Sequence, residues 1–205
     1  MRLLKNYSIV LLKDLSPDIQ DKIKSAKCSY TIPWDVQFKE ESVSTPARPV
    51  FDGSSRTPGG YSLNDLLAKG DPNVVRLLDM VVRWRIGKSA LVGDIKQFYN
   101  NVLLHEDHWA FQKVLLKKDL DPDSKTLIAI IITLIYGIRP VGAQCEAVIR
   151  MLAEEIWESH PKVAMLLILA RYVDDFGLST KNAEETRQLR EATDAVLAKI
   201  HMEVG

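Results

Sequence analysis

The sequence predicts a mixed α/β fold of the α+β type, in which antiparallel strands are backed by helices. Apolar residues recur at helical spacing in several segments, and continuous apolar runs elsewhere are typical of buried strands. The elements follow one another in the order helix, strands, helix, strand, strand, helix, hairpin, helix. The second half therefore predicts a strand, a helix and a hairpin arranged around an acidic turn.

The expected helices have start signals and apolar stripes. Proline stands at the first position of the helices predicted at 17–27 and 72–86. A third helix is predicted over 143–159, and Asn182 with Glu185 resembles a capping box that starts the fourth. The residues expected on the buried stripes are Val74, Leu77, Leu78 and Val81 in the second helix, Ala147, Met151, Leu152 and Ile156 in the third, and Leu189, Val196, Leu197 and Ile200 in the fourth.

Strands are expected where apolar or β-branched residues run between turn residues. Residues 30–60 are rich in Pro, Ser, Thr and Gly and contain short β-prone pieces, which predicts strands and loops. Buried strands are predicted at 90–95 and 127–136. Residues 163–173 and 176–180 are predicted to form two strands joined by a tight turn.

Composition limits the classes of function. The chain has 205 residues, a hydrophobic fraction of 46% and a formal net charge of zero, whereas nucleic-acid-binding domains often carry a basic excess. Cys28 and Cys145 lie far apart, which predicts reduced thiols of an intracellular protein. The apolar runs 127–132 and 163–170 are shorter than the ~20 residues of a membrane span, and no signal peptide is visible. No membrane partner is therefore expected.

Three acidic residues stand where predicted strands end. Asp94 closes the strand at 90–95, and Asp174 and Asp175 occupy the turn of the hairpin. Transfer of a nucleotide to a primer 3′-hydroxyl uses two metal ions, and Mg²⁺ prefers carboxylate oxygens together with substrate phosphates. Three carboxylates this close would repel one another and raise a pKa, a cost that a divalent ion removes. The alternative is an ordinary polar turn, because Asp favours turns between strands.

Four motifs in family order resemble those of reverse transcriptases. The residues YVDD at 172–175 resemble the catalytic hairpin, and GDIKQFYNNV at 93–102 resembles the first catalytic motif. LIYGIRPVGAQ at 134–144 resembles the segment that contacts template and nucleotide, and RPVFDGSSRTPGGYSLNDLLAKGDP at 48–72 resembles the fingers region. Within the family, the stretches FDGSS, SLNDLL, DIKQFY and YGIRP are similar to those of Bel/Pao-type LTR retrotransposons.

This resemblance implies a polymerase fingers–palm fold, with an antiparallel palm sheet backed by helices. An N-terminal segment and fingers would occupy 1–88, the first catalytic strand of the palm 89–103, a fingers insertion 104–138 and the rest of the palm 139–205. The family's thumb and RNase H regions are absent from the chain. The implied partners are a primed RNA or DNA template, deoxynucleoside triphosphates and the missing regions of a longer polyprotein, in a cytoplasmic retrotransposon particle.

The resemblance also implies a metal site at the three acids. Asp94 and Asp174 would bridge two Mg²⁺ ions, for which Mn²⁺ could substitute. Asp175 would support these two residues, and Ile95 would offer its backbone carbonyl. All three acids are implied to be catalytic.

Four further residues are implied to bind the nucleotide. Tyr99 would be a steric gate against a ribose 2′-hydroxyl; alternatively it is a half-buried aromatic residue on the continuation of the strand. Arg48 would bind the triphosphate through its guanidinium group; alternatively it is a solvated charge at a strand edge. Gly137 would let the backbone approach the nucleotide, or ends a strand. Tyr136 stands where many reverse transcriptases carry glutamine, and Lys39 is the nearest candidate for their second triphosphate ligand.

The leading hypothesis is an RNA-directed DNA polymerase module of a retrotransposon polyprotein, which is a two-metal nucleotidyltransferase. The alternative is a catalytically inactive, element-derived remnant that at most binds nucleic acid, which the missing thumb and the neutral charge favour. A palm-type RNA-directed RNA polymerase is a third hypothesis, and the bulky side chain of Tyr99 argues against it. His105 and His108 could form a metal pair, but a solvated polar turn fits better because no further ligand is near.

Overall fold

The computed structural model describes residues 8–38, 47–71, 74–117 and 123–205. The chain divides into two compact units, a first unit formed by 1–68 with 102–141 and a second unit formed by 69–101 with 142–205. Both helices and antiparallel sheets are present, in agreement with the predicted α+β class. Within these residues, no helix combines the length and the apolar character needed to cross a bilayer.

The described residues form eight strands, six α-helices and short 3-10 helices. The strands are β1 Ile9–Leu11, β2 Trp34–Phe38, β3 Ala47–Phe51, β4 Ser89–Asp94, β5 Lys113–Lys117, β6 Thr126–Ile131, β7 Arg171–Tyr172 and β8 Asp175–Thr180. The α-helices are α1 Pro17–Ser25, α2 Leu63–Leu66, α3 Leu77–Trp84, α4 Val141–Glu155, α5 Pro161–Leu169 and α6 Ala183–Ala198. The 3-10 helices are Leu12–Asp14, Phe98–Asn101 and Glu106–Phe111.

In the first unit, β6 is the central strand of an antiparallel sheet with the order β1-β6-β5. Its residues Ala129, Ile130 and Ile131 are completely buried, as expected for an apolar β-branched strand. Ile23 of α1 belongs to the same hydrophobic cluster as Ile130. The strands β2 and β3 form a separate antiparallel hairpin. The strands predicted within 30–60 and 127–136 are therefore confirmed, although β6 ends at Ile131.

In the second unit, β8 is the central strand of an antiparallel sheet with the order β4-β8-β7. Along β4, Leu91 is buried and Val92 is exposed, because successive side chains of a strand point to opposite faces. The strands predicted at 90–95 and 176–180 are confirmed. The sheet thus brings the predicted first catalytic strand directly beside the second strand of the hairpin.

Helices cover both faces of this sheet. The Thr186 hydroxyl of α6 donates to the Ser89 hydroxyl at 2.7 Å, which places α6 on one face. On the other face, a side chain at Gly177 would meet Met80 and Trp84 of α3, so the small residue lets that helix pack closely. The expected antiparallel sheet backed by helices is therefore present in this unit.

The helix α5 replaces most of the strand that the sequence predicted over 163–173. Pro161 stands at its first position, and Val163 and Leu166 are buried. Leu, Met and Ala dominate the segment, and these residues favour helix over strand. A helix that is apolar nearly all round is a buried one, and its sequence resembles a buried strand. Only Arg171–Tyr172 remain as strand.

The helix α3 is shorter than predicted at both ends, and its expected buried stripe is wrong at Leu77 and Leu78, which are exposed. It starts at Leu77, because Arg76 at its N-cap is extended, and Pro72 lies outside the described residues. It ends at Trp84, before Gly87. The glycine has another role, since a Cβ at Gly87 would lie 2.4 Å from the Thr180 carbonyl oxygen.

The helix α4 is confirmed, but its predicted buried stripe is partly wrong. Ala147 and Met151 are exposed. The buried stripe consists of Cys145, Ile149, Leu152 and Ala153, and Ile156 is buried directly after the helix ends at Glu155. These positions recur at helical spacing on one face, whereas Ala and Met are good helix formers that do not require burial.

The start of α6 is confirmed, with a small difference in the capping pattern. The Asn182 side chain accepts a hydrogen bond from the Glu185 amide at 2.9 Å, as expected for an N-cap. The Glu185 carboxylate reaches the Lys181 amide at 3.1 Å, one residue before the position of a regular capping box. Leu189 and Val196 are buried, so the predicted stripe of this helix is confirmed at these positions.

Candidate active site

Asp94 and Asp175 face each other across two neighbouring strands. They are directly paired in the antiparallel register of β4 and β8. The Ile95 amide donates to the Asp174 carbonyl at 2.9 Å, so Asp94 and Asp175 form the adjacent non-hydrogen-bonded pair. Cα atoms in such pairs are about 4.5 Å apart, and the two side chains share one face of the sheet. Both carboxylates therefore project from the same exposed face.

Asp174 lies in the turn that joins β7 to β8. The two-residue turn consists of Val173 and Asp174, and Asp175 is already the first residue of β8, so the turn lies one residue earlier than predicted. Burial raises the pKa of the Asp174 carboxyl, and the charges of Asp175 and Asp94 raise it further. Its own backbone amide and Arg171 act in the opposite direction. The three acids are thus close enough to interact electrostatically.

Val173 holds a strained backbone conformation. Its φ is 59°, which is uncommon for any residue except glycine and is a clear outlier for a β-branched one. A positive φ at the first turn position is typical of type II′ hairpin turns, where glycine is the usual residue. Strain of this kind costs about 1–3 kcal/mol and persists only where the surroundings hold it. The turn that carries Asp174 is therefore held by its environment.

Arg171 and Glu146 form a buried ion pair beside this turn. The guanidinium donates to both Glu146 carboxylate oxygens, at 2.9 and 2.6 Å, and the two side chains are 3% and 7% exposed. Arg171 also donates through Nε to the Leu167 carbonyl at 3.2 Å and through Nη1 to the Val173 carbonyl. Its guanidinium carbon lies 5.4 Å from the centre of the Phe98 ring. One side chain therefore connects α4, α5 and the strained turn.

The sequence contains a signal for a buried ion pair at Arg171 and Glu146 that the predictions above did not use. Arg171 follows an apolar run, and Glu146 follows Cys145 on the buried stripe of α4. Arg and Glu are almost never fully buried unless they are paired, so a charge in such a position predicts a partner. Which partner each would take depends on the packing of α4 against the hairpin.

Tyr99 belongs to the same unit as the acids. It lies in the 3-10 helix that follows β4 and is 8% exposed, which corrects the alternative of a half-buried residue on the strand's continuation. Burial raises the pKa of its hydroxyl to about 12, with smaller effects from Cys145 and Asp174. Its ring centre is 5.4 Å from that of Phe98. Only a small part of the ring is therefore accessible to a ligand.

Ile95 has a buried side chain and a backbone that faces the turn. Its side chain is 1% exposed, and its amide donates to Asp174. The amide and carbonyl of one strand residue point to the same neighbouring strand, so the Ile95 carbonyl is directed towards the turn as well. This orientation suits the metal-ligand role that the resemblance implies.

Residues 203–205 run along the free edge of the Asp94 segment. The Lys96 amide donates to the Glu203 carbonyl at 2.9 Å, and the Gly205 amide donates to the Asp94 carbonyl at 2.8 Å. A Cβ at Gly205 would lie 2.2 Å from Asp94 Oδ1. The glycine thus leaves room for the Asp94 carboxylate at its present place.

The chemistry of this donor set fits Mg²⁺. Three carboxylates and a backbone carbonyl supply oxygen atoms. Burial is the main cause of the raised pKa of Asp174, and a cation would relieve the further rise that comes from the charges of Asp175 and Asp94. In the parts of the chain that the structure describes, no group of three His, Cys, Asp or Glu side chains forms a metal site by itself. A Mg²⁺ site does not require such a group, because Mg²⁺ usually binds through one or two carboxylates, waters and substrate phosphates rather than in an all-protein cage.

The other nucleotide-binding candidates lie in the first unit. Arg48 is exposed on β3, where it pairs with Gln37, and Tyr136 is 52% exposed. Gly137 has a φ of 94°, and a Cβ there would lie 2.1 Å from the Phe51 carbonyl oxygen. The need for glycine at 137 is therefore explained by backbone packing within this unit. Lys39 lies outside the described residues.

The structure agrees with a simple interpretation of His105 and His108. Both side chains are exposed around the 3-10 helix Glu106–Phe111. His105 Nδ1 accepts a hydrogen bond from the Asp107 amide at 3.4 Å, so it caps the turn. These residues form the solvated polar turn that the sequence predicted.

The chain matches no protein-family model, and a search of curated proteins finds no significant match. The function must therefore be argued from the motifs and from the geometry of the acids.

Proposed function

We propose that this chain is the nucleotidyl-transferring part of an RNA-directed DNA polymerase. The observation that carries the proposal is the arrangement of Asp94, Asp174 and Asp175. Two of the acids face each other on paired strands, and the third lies in the adjoining turn with a raised pKa. In this proposal the second unit acts as the palm and the first unit as the fingers.

Asp94, Asp174 and Asp175 would hold two Mg²⁺ ions together with the Ile95 backbone carbonyl. When bound, the ions would lower the pKa of the primer 3′-hydroxyl and neutralise charge on the triphosphate. In the transfer, the 3′-oxygen forms a bond to the α-phosphorus, the bond from that phosphorus to the leaving oxygen breaks, and pyrophosphate departs. The proton of the hydroxyl is lost to solvent.

Tyr99 would select deoxynucleotides. Its ring is fixed by burial and by contact with Phe98, and the charge of Asp174 contributes to the raised pKa of its hydroxyl. A rigid ring edge at this place would clash with a 2′-hydroxyl. Arg48, Tyr136 and Gly137 are assigned to nucleotide binding on their motifs alone.

Primer extension tests the proposal. Wild type is compared with Asp174→Asn on a primed RNA and a primed DNA template, with Mg²⁺ or Mn²⁺. Stabilisation by a metal site is worth several kcal/mol and each ~1.4 kcal/mol is tenfold, so extension should fall by at least about 100-fold. Asp194→Asn is the matched control, because Asp194 lies in the same unit and pairs with Arg190 on the surface of α6.

Two results would contradict the proposal. Equal extension by wild type and Asp174→Asn would remove Asp174 from the mechanism. Binding of the primed template without extension, at high protein concentration and with both metals, would support the non-catalytic alternative. Extension that uses ribonucleotides as well as deoxynucleotides would contradict the role of Tyr99 while leaving the acids in place.

A further inference from the structure

We propose that Arg171 and Glu146 are positioning residues that hold the strained Val173–Asp174 turn and thereby fix the place of the Asp174 carboxylate. This inference rests on the proposed nucleotidyl-transfer site. Neither residue would touch the substrate, since both side chains are buried. Their effect would pass through the backbone of the turn.

The hydrogen bonds of Arg171 support this role. A guanidinium has five donors in a rigid planar fork, and the fork here bonds Glu146 twice, the Leu167 carbonyl and the Val173 carbonyl. Glu146 on α4 and Leu167 on α5 are part of the helical scaffold of the second unit. The Val173 carbonyl is thus tied to two helices at the residue where the backbone is strained.

The energetics of a buried ion pair favour positioning over simple stabilisation. Removing two charges from water costs about as much as their attraction returns, and apolar residues of similar size would often stabilise a fold as well or better. A fold that needed only core packing would gain little from this pair. A strained turn, by contrast, requires a rigid partner that is itself fixed by packing. Arg171, clamped by Glu146, is such a partner.

Hydrogen exchange of one amide reports on the turn directly. The Ile95 amide donates to the Asp174 carbonyl, which belongs to the turn, at 2.9 Å. The Lys88 amide donates to the Thr180 carbonyl, also at 2.9 Å, at the far end of the same strand pair. The ratio of the two exchange rates therefore separates a loosened turn from a generally less stable unit.

The variants are Arg171→Lys, Val173→Gly and the double variant. Lysine keeps the charge but cannot bond Glu146, Leu167 and Val173 at once, because it lacks the planar fork. Glycine adopts a positive φ without strain, so a turn with Val173→Gly needs no clamp. We expect Arg171→Lys to speed exchange at Ile95 by about tenfold more than at Lys88, the size expected for the loss of a hydrogen bond to a charged group. In the double variant this difference should shrink to about threefold or less.

Equal acceleration at Ile95 and Lys88 would overturn the inference, because it would show a general structural role. A preferential effect at Ile95 that Val173→Gly does not reduce would overturn it too. If Arg171→Lys does not fold, Glu146→Gln replaces it, since it keeps the shape and weakens the clamp on Arg171, and the same two outcomes apply.

Binding of Mn²⁺ alone, followed by paramagnetic resonance, distinguishes this inference from the proposed function. We expect Arg171→Lys to weaken Mn²⁺ binding by about 10–100-fold, as for other residues that orient metal ligands, and Val173→Gly to restore part of it. Wild type that shows the exchange pattern but binds no Mn²⁺ would contradict the proposed function and leave the positioning role supported. Wild type that binds Mn²⁺ and shows no preferential exchange would contradict the positioning role alone.

Discussion

The two ends of the β4–β8 strand pair are built in opposite ways. At the turn end, Asp94 and Asp175 face each other with like charges, and Val173 has a positive φ. At the other end, Ser89 and Thr180 are the paired residues. Their hydroxyls and that of Thr186 form a network in which each contact is 2.7 Å long.

The two ends therefore differ in their effect on the stability of the fold: the groups at one end stabilise it, and those at the other end lower its stability. The hydroxyl network satisfies its members locally, and neutral hydrogen bonds contribute modestly without strain. The turn end contains repulsion, backbone strain and a buried ion pair, which all cost free energy by themselves. Destabilising features of this kind concentrate at functional sites, where favourable packing in the rest of the fold offsets their cost in free energy. The turn end is therefore the candidate active site on physical grounds as well as by its motifs.

The largest effect is expected from breaking the ion pair of the turn end. Glu146→Leu should lower the free energy of unfolding by about 3–5 kcal/mol, because it leaves the Arg171 charge buried and unpaired. Glu146→Leu combined with Arg171→Met should recover most of this loss, since an apolar pair of similar volume fits the same space. Chemical denaturation followed by circular dichroism measures both. A loss below ~1 kcal/mol in the single variant would show that Arg171 finds another partner.

A smaller effect is expected at the hydroxyl end. Thr186→Val keeps the shape but removes the hydrogen bonds to Ser89 and Thr180, so the free energy of unfolding should fall by about 1 kcal/mol. Mn²⁺ affinity should stay within about twofold of wild type, because oriented metal ligands are affected by their own neighbours and not by a distant network. A tenfold loss of Mn²⁺ affinity in Thr186→Val would remove the distinction between the two ends.

Much of the sheet around the acids was predictable from local pattern. A continuous apolar run that ends on an acid predicted β4, and the acidic turn predicted the hairpin whose second strand is β8. The place of Asp94 opposite Asp175 required only that the two strands be neighbours. Local residue types suffice for such elements because the pattern of period two fixes which side chains share a face.

The parts that failed depend on packing between distant segments. The run at 163–169 is apolar nearly all round, so its hydrophobic pattern does not distinguish a buried helix from a buried strand. Its residue types favour helix, but propensity is a weak signal that tertiary packing often overrides. The strain at Val173 could not be predicted, since valine disfavours a positive φ and adopts it only where the surrounding structure holds it. The Arg171–Glu146 pair likewise exists only once α4 lies against the hairpin.

The acids at the turn predict an unusual dependence of stability on pH. The pKa of Asp174 is raised above its ordinary value of 3.8, so the fold favours the protonated form. Its favourable contribution is present below pH ~3.8 and is lost as the pH rises through the raised pKa. Asp174→Asn cannot ionise, so with a chelator at pH 7 it should be more stable than wild type, because a neutral amide is buried at lower cost than a carboxylate beside two like charges. The turn is partly exposed, which screens these charges, so the gain should stay below about 1 kcal/mol.

Two measurements check the sign of the predicted difference in stability between Asp174→Asn and wild type. Unfolding at pH 3 should show the difference between Asp174→Asn and wild type shrinking, because both then carry a neutral group at 174. Added Mg²⁺ should stabilise wild type and have less effect on the variant, since a ligand that binds only the folded state raises its stability. A variant that is less stable than wild type at pH 7 without metal would show that favourable contacts of the Asp174 carboxylate outweigh the cost of its burial and of the neighbouring charges.

The smallest effect on stability is expected at Gly205. In Gly205→Ala the new methyl group would lie 2.2 Å from Asp94 Oδ1, and the exposed Asp94 side chain can rotate away from it. The free energy of unfolding should therefore change by less than about 0.5 kcal/mol, as for most surface substitutions. Mn²⁺ affinity should nevertheless fall by about tenfold, because a metal ligand has moved.

Gly142→Ala is the control, since a Cβ at Gly142 meets no atom within 4 Å, and it should leave Mn²⁺ affinity unchanged. If Gly205→Ala binds Mn²⁺ as tightly as wild type does, Asp94→Asn separates two explanations. A loss of Mn²⁺ affinity in Asp94→Asn would show that Asp94 is a ligand and still reaches the ion after rotation. An unchanged Mn²⁺ affinity would show that Asp94 is not a ligand.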